Sequence, residues 1–265
     1  MSGPDRLQPA AVAAAPSSSR PRARALVAQL LTEVRLSLRQ GEQLLVAIGI
    51  PLIVLVFFST VDVLPSATED PVDGLTPAVL ALAIMSSAMV SLGIGTGFER
   101  HYGVLKRLGA TPLGRPRLLT AKIGATLGIE AGQLVALALA GWALGWRPGF
   151  EPLAFLAAVA LGTAAFAGLG LSLAGNLSGP ANLAVCNGLY VLLLLFGGVV
   201  VPASELPAGV RSVARYLPSG ALVEVMGGAA GRLDAAPVAV WLALVAWAVA
   251  LPLLAAATFS WQPRA

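Results

Sequence analysis

The chain is short of the residues that carry chemistry. In 265 positions it has one cysteine, Cys186, and one histidine, His101. One cysteine excludes an intrachain disulfide. Inside an apolar run it reads as packing, so it reveals nothing about redox compartment. A zinc site needs about four ligands, and His101 has no companions at ligand spacing, so it reads as a loop residue near the interface. No H-E-x-x-H is present. Glycine is plentiful at 29 residues, yet no G-x-x-x-x-G-K-[ST] phosphate loop occurs, and the chain is expected to bind no ATP itself. Intramembrane serine chemistry needs a base beside the serine, and no apolar run holds a histidine or a deep lysine. Basic and aromatic residues do not interleave in the way nucleic acid requires. No cofactor, metal or catalytic residue is therefore expected.

Charge is the second shortage. Only 11% of residues are charged, against about a quarter in a soluble domain, while 57% are hydrophobic and the mean hydropathy is +0.82. The apolar residues fall into six runs: Leu44–Leu64, Leu75–Gly97, Ile123–Trp146, Leu153–Gly175, Asn182–Val201 and Pro237–Phe259. Each approaches the roughly 20 residues that cross a hydrocarbon core of about 30 Å. Backbone groups in lipid must be satisfied within the segment, so the runs predict helices. The alternation of a membrane barrel is absent. The expected fold is an all-α integral membrane protein with six transmembrane helices.

The scarce charges are unevenly placed. With the first 43 residues inside, 13 of the 17 Lys and Arg lie on the inner side, and most loop carboxylates lie outside. This positive-inside bias puts both termini in the cytoplasm and explains the pI near 9.8. Residues 1–24 are rich in Ala, Pro and Ser and read as a disordered cytoplasmic segment, without a secretory signal core. The remainder, 25–265, reads as one transmembrane domain. Leu26, Leu30, Val34 and Leu38 recur every four residues, which predicts an amphipathic helix in the inner interface ahead of the first span. Between spans five and six, Pro202–Ala236 is too apolar for a free loop. It predicts short helices, one at Val210–Leu217 ending at Pro218 and one at Ala221–Met226, re-entering the outer leaflet against protein.

Two features stand out within this frame. The basic segment Phe98–Lys122 carries six Lys and Arg between spans two and three, with Val104, Leu105 and Leu108 at helical spacing. A simple connector needs no such periodicity, so the segment reads as a docking element for a soluble partner. The other feature lies in span three. Glu130 is the one carboxylate well inside a span, and such a group is a functional hypothesis by default. It predicts a hydrogen bond to Ser, Thr or Asn on a neighbour, a wall of a cation-accepting path, or a helper for the basic loop. Gly124, Gly128 and Gly132 share one face of that span, and Gly93 and Gly97 one face of the second. Both stripes predict close helix packing, or an interface on which spans slide. No internal repeat supports an inverted-repeat carrier.

Two motifs, taken in order, resemble one family. Glu99-Arg100, Gly103, Leu105, Leu108, Ala110-Thr111-Pro112 and Arg115 follow the E-R-x-x-G…L…A-T-P-x-x-R pattern of permeases of the type-2 ATP-binding-cassette (ABC-2) exporters. Gly197-Gly198, Pro202, Leu206-Pro207, Tyr216-Leu217-Pro218 and Glu224 resemble that family's signature after the fifth span. With six spans and the leading interfacial helix, the resemblance covers Ala25–Phe259. The Ala, Gly, Arg and Pro richness looks like that of a high-GC bacterium, and within the family the chain is similar to the short permeases of antibiotic- and multidrug-resistance exporters.

The resemblance implies a division of labour. Two permease chains, identical or different, form a path through the bacterial cytoplasmic membrane. Two cytoplasmic ABC ATPase subunits hold ATP and Mg and drive export of a drug, antibiotic or lipid-like substrate. Phe98–Lys122 would be the coupling element, with Gly103, Leu105, Lys106, Arg107, Leu108, Thr111, Pro112 and Arg115 among its ATPase-coupling residues, and with Glu99 and Arg100 pairing with each other or with the partner. Gly103 to Ala110 would be its helical body, Thr111-Pro112 its stop, and the inner ends of spans two and three would move with it. Pro202, Glu205, Pro207, Tyr216, Pro218 and Glu224 would form an exit lid. The readings from other classes are an ion-coupled carrier using Glu130, a lipid-modifying enzyme, for which no catalytic cluster is evident, and a non-transporting scaffold.

Overall fold

A computed structural model describes residues 31–32, 35, 41–61, 71–109, 115–147, 149, 151–198, 207–230 and 235–261. Among them every regular element is a helix. In chain order these are α1 (Gly41–Thr60), α2 (Pro71–Met85), a π-helical turn (Ser86–Ser91), α3 (Leu92–His101), α4 (Val104–Gly109), α5 (Arg115–Ala143), α6 (Pro152–Asn176), α7 (Gly179–Phe196), α8 (Ala208–Ala214), α9 (Pro218–Ala230) and α10 (Val238–Thr258). Five stretches are long and apolar enough to span a bilayer: Val72–His101, Leu118–Ala143, Pro152–Asn176, Gly179–Phe196 and Val238–Thr258. They match expected spans two to six. The first appears as the shorter apolar stretch Ala47–Thr60 of α1, a helix with an internal proline, Pro51. The chain is thus an all-α, multi-pass membrane protein.

The disordered segment 1–24 and most of the interfacial helix lie outside the described residues. Leu31, Thr32 and Arg35 of that helix are helical and exposed.

The rod Val72–His101 is the axis of the bundle. Some 72% of its apolar window is buried by protein, against 22–44% in the other four spans. The other helices gather on it and leave outward stripes such as Val135, Leu139 and Trp142 on α5, and Leu242, Val249 and Leu253 on α10. In lipid such stripes are normal, because no water drives them inward.

The helices come together where side chains are missing. A Cβ on Gly93 would lie 2.9 Å from Gly170 Cα, and one on Gly170 would lie 2.6 Å from Met89 O, so rod and α6 touch backbone to backbone. Gly97 packs in the same way on the Asn182 side chain. The second-span stripe thus serves close packing. The third-span stripe does not: Gly128 and Gly132 are exposed with nothing within 4 Å, and Gly124 is half-buried. That corrects the intrachain packing expected for them. The cause is rotational, because α5 turns Glu130 and Gln133 inward and the glycine face out.

The chain between α7 and α10 does re-enter the bundle. α9 is buried along nearly its whole length, packed against α2, α6, α7 and α10. It runs Pro218–Ala230, longer than the Ala221–Met226 turn expected. α8 ends at Ala214, and Val210 and Val213 are exposed while Ala214 is buried.

Candidate coupling and permeation elements

At the C-terminal end of the rod, the end that the charge bias expects to face inward, α3 turns into α4 through Gly103. Its φ of +72° is left-handed, a conformation L side chains rarely adopt. Gly103 is therefore the hinge before α4 and not part of its body, which starts at Val104. α4 anchors itself by its leucines, Leu105 above all. Leu105 is fully buried against Leu118 of α5, with Leu108, Phe259 and Trp261 around the pair. Val104, Lys106 and Arg107 point outward. The element thus has one apolar root and two exposed cations. Thr111 and Pro112 lie outside the described residues. Arg115 opens α5, so the basic stretch after it belongs to the third span's first turns and not to a loop.

Glu99 and Arg100, expected to pair with each other or with a partner, are instead tied to other helices of the chain. Arg100 is 2% exposed, and its guanidinium Nη1 donates to the Ala174 carbonyl at 2.6 Å and the Leu177 carbonyl at 3.1 Å. Those carbonyls belong to the end of α6, where the last four have no intrahelical partner and carry partial negative charge. A buried cation there satisfies both needs. Glu99 accepts from Lys122 Nζ of α5 at 2.7 Å, and Lys122 is 6% exposed. Asn182 of α7 adds a third tie, donating from Nδ2 to Gly93 O at 2.9 Å. Cys186 lies buried beside it, its Sγ 3.4 Å from Asn182 Oδ1, which bears out the packing reading. Four helix ends are thus clamped together by polar side chains.

Glu130 lies farther into the membrane and is fully buried. Its Oε1 accepts from Thr163 Oγ1 of α6 at 2.5 Å, the neighbour's hydroxyl that the sequence anticipated. Its Oε2 has no partner among the described residues. Three residues on, along the same face, Gln133 accepts from Ser87 Oγ at 2.7 Å and donates to Ala47 O at 2.7 Å. Ser87 sits in the π-helical turn, so α5 makes two polar ties one turn apart, one to α6 and one to the rod and α1. Gln133 was missed from sequence. The signal was its i, i+3 spacing from Glu130.

On the side expected to be outer, Pro202 and Glu205 lie outside the described residues. Pro207 precedes α8 and is exposed. Tyr216 offers its carbonyl to Trp247 Nε1 at 2.8 Å, Pro218 starts α9 and is buried, and Glu224 accepts from Arg215 at 2.5 Å. The Glu224 carboxylate holds the Arg215 guanidinium further above its ordinary range. Among the described residues no three His, Cys, Asp or Glu gather as a metal site would need.

Residues 24–228 match the family model described as ABC-2 type transporter. No curated protein matches the chain.

Proposed function

Since the chain belongs to the ABC-2 type transporter family, as a membrane component of a transporter and not its catalytic subunit, we propose that it is the permease of an ATP-driven exporter. Family membership implies association with ABC ATPase subunits; the inner surface of α4 is our candidate for where they bind. Two such chains, placed in a bacterial cytoplasmic membrane with both termini inside, would form the path. ATP and Mg would be held on the ATPase chains. The substrate class we favour is hydrophobic or amphipathic, a drug, antibiotic or lipid-like molecule entering from the inner leaflet.

The observation that carries this reading is the build of α4. Its apolar root is sunk into the bundle through Leu105, while Lys106 and Arg107 stay exposed. An exposed basic face on an anchored helix suits a cytoplasmic partner that pushes. The test is co-purification with an ABC ATPase subunit, followed by hydrolysis in liposomes. Lys106→Glu with Arg107→Glu is expected to abolish capture of the ATPase and leave the permease monodisperse. Capture unaffected by the double charge reversal removes α4 as the docking element. Capture without stimulated hydrolysis favours a scaffold.

A second reading, an ion-coupled carrier, draws on the unpartnered Oε2 of buried Glu130. It requires transport in liposomes that contain the permease alone and an ion gradient. Transport there that is lost in Glu130→Gln would replace the exporter reading.

A further inference from the structure

Residues 259–261, which follow α10, stay against the bundle. Phe259 folds under the end of α6: a Cβ on Gly175 would lie 2.6 Å from the Phe259 ring and 2.9 Å from its Cα, so only glycine admits the crossing. Ser260 N donates to Gly175 O at 3.2 Å, and Asn176 Nδ2 donates to Thr258 Oγ1 at 3.0 Å. The Phe259 and Trp261 rings pair at 4.9 Å. Both rings then pack around Leu105 and Leu118, the socket that roots α4. Of the two rings, Phe259 also touches the main apolar core. Above it, α6 and α10 share the most extensive helix contact in the described molecule, closed further where Gly168 admits Pro252.

We propose that Phe259–Trp261 is a strut that transmits motion of α4 to the α6–α10 pair. It rests on the reading of α4 as the element that the ATPase displaces. The sequence resemblance implied transmission to the inner ends of the second and third spans. The strut adds the fourth and sixth. Leu105 and Leu118 are fully buried, so a shift of Leu105 presses on the half-buried side chains packed around them. Phe259 and Trp261 are two of these, and Phe259 passes the displacement to the backbone at Gly175. These two aromatics are positioning residues for α4.

The experiment is amide hydrogen exchange on the assembled complex, with and without vanadate-trapped nucleotide, for wild type, Trp261→Ala and Trp261→Phe. In wild type, trapping is expected to change exchange in α4 and in the ends of α6 and α10. In Trp261→Ala the change in α4 persists with ATPase bound, while the change at the ends of α6 and α10 falls about fivefold, within the range that single coupling residues command. Trp261→Phe keeps an aromatic ring and restores it. An undiminished response of α6 and α10 in Trp261→Ala overturns the strut. So does loss of ATPase binding in that variant, which would make Trp261 a docking residue. Should Trp261→Ala fail to fold, Trp261→Leu keeps the burial and removes the ring pair.

A second arm needs no ATPase. In the permease alone, Trp261→Ala is expected to speed exchange at Leu105–Leu108 and at Ala174–Asn176 and leave α9 unchanged. Unchanged exchange at both sites rejects the strut, whatever the partner does. Failure of the wild-type chain to bind any ATPase rejects only the preceding functional reading.

Discussion

The two ends of the bundle hold their charges in different ways. At the inner end, Arg100 and Lys122 are nearly fully buried and tie helix ends to one another. At the outer end, the Arg215–Glu224 pair is about a third exposed, at 35% and 30%. What holds that end is the apolar burial of α9, with Leu222, Val225 and Met226 fully enclosed. Asp73 is the outer exception, buried and accepting from Arg147 N at 3.3 Å. The contrast shows where ionic groups are structural members. A charge under a helix end replaces lost carbonyl partners, whereas an exposed pair competes with water and salt.

Breaking the inner clamp should have the largest effect. Arg100→Ala deletes two charge-assisted bonds to α6 carbonyls, each worth about 1.5–3 kcal/mol. It is expected to lower thermal stability in nanodiscs by several degrees and to release the end of α6 to amide exchange. Next comes the outer core. Leu222→Ala leaves a cavity beside α6 and should cost about 2–4 kcal/mol, read as a lowered unfolding midpoint. An effect larger than that of Arg100→Ala would reverse the comparison. Lys122→Met, which keeps the stem and removes the charge, should cost about 1–2 kcal/mol by stranding Glu99 in a half-buried site. A double-mutant cycle with Glu99→Gln should recover most of that loss. The smallest change is expected from Arg215→Ala, about 0–1 kcal/mol and vanishing in high salt, measured by unfolding at two ionic strengths. A salt-independent loss there would show that the outer pair is as embedded as the inner one.

Long apolar runs foretold the place and order of five spans and of the shorter apolar helix ahead of them, because length and hydropathy are enough for that. The fourth and sixth spans fall within a residue or so of Pro152–Asn176 and Val238–Thr258. The buried course of α9 was also legible, since a run so apolar could not stay in water. Rotation about each helix axis was not. The stripe through Gly124, Gly128 and Gly132 looked like a contact face, yet two of the three face open space, because Glu130 and Gln133 had the stronger need for protein. Arg100 misled for a related reason. A loop-end arginine reads as surface, and only the arrival of α6's carbonyls beneath it explains its burial. Phe259 and Trp261 carried no sequence signal, because an aromatic at a span end is expected at any membrane interface.

The π-helical turn at Ser86–Ser91, where Leu92 N reaches back five residues to Ser87 O, has an effect on any residue-by-residue survey of the second span. Such a turn behaves as one residue inserted into a helix of 3.6 per turn, which shifts angular phase by about 100°. No single helical wheel therefore describes Val72–His101. A labelling scan along it should give two sinusoids of equal period, out of step across Ser86–Ser91, and a gap-free template drawn from an unbroken helix would misassign every face on one side.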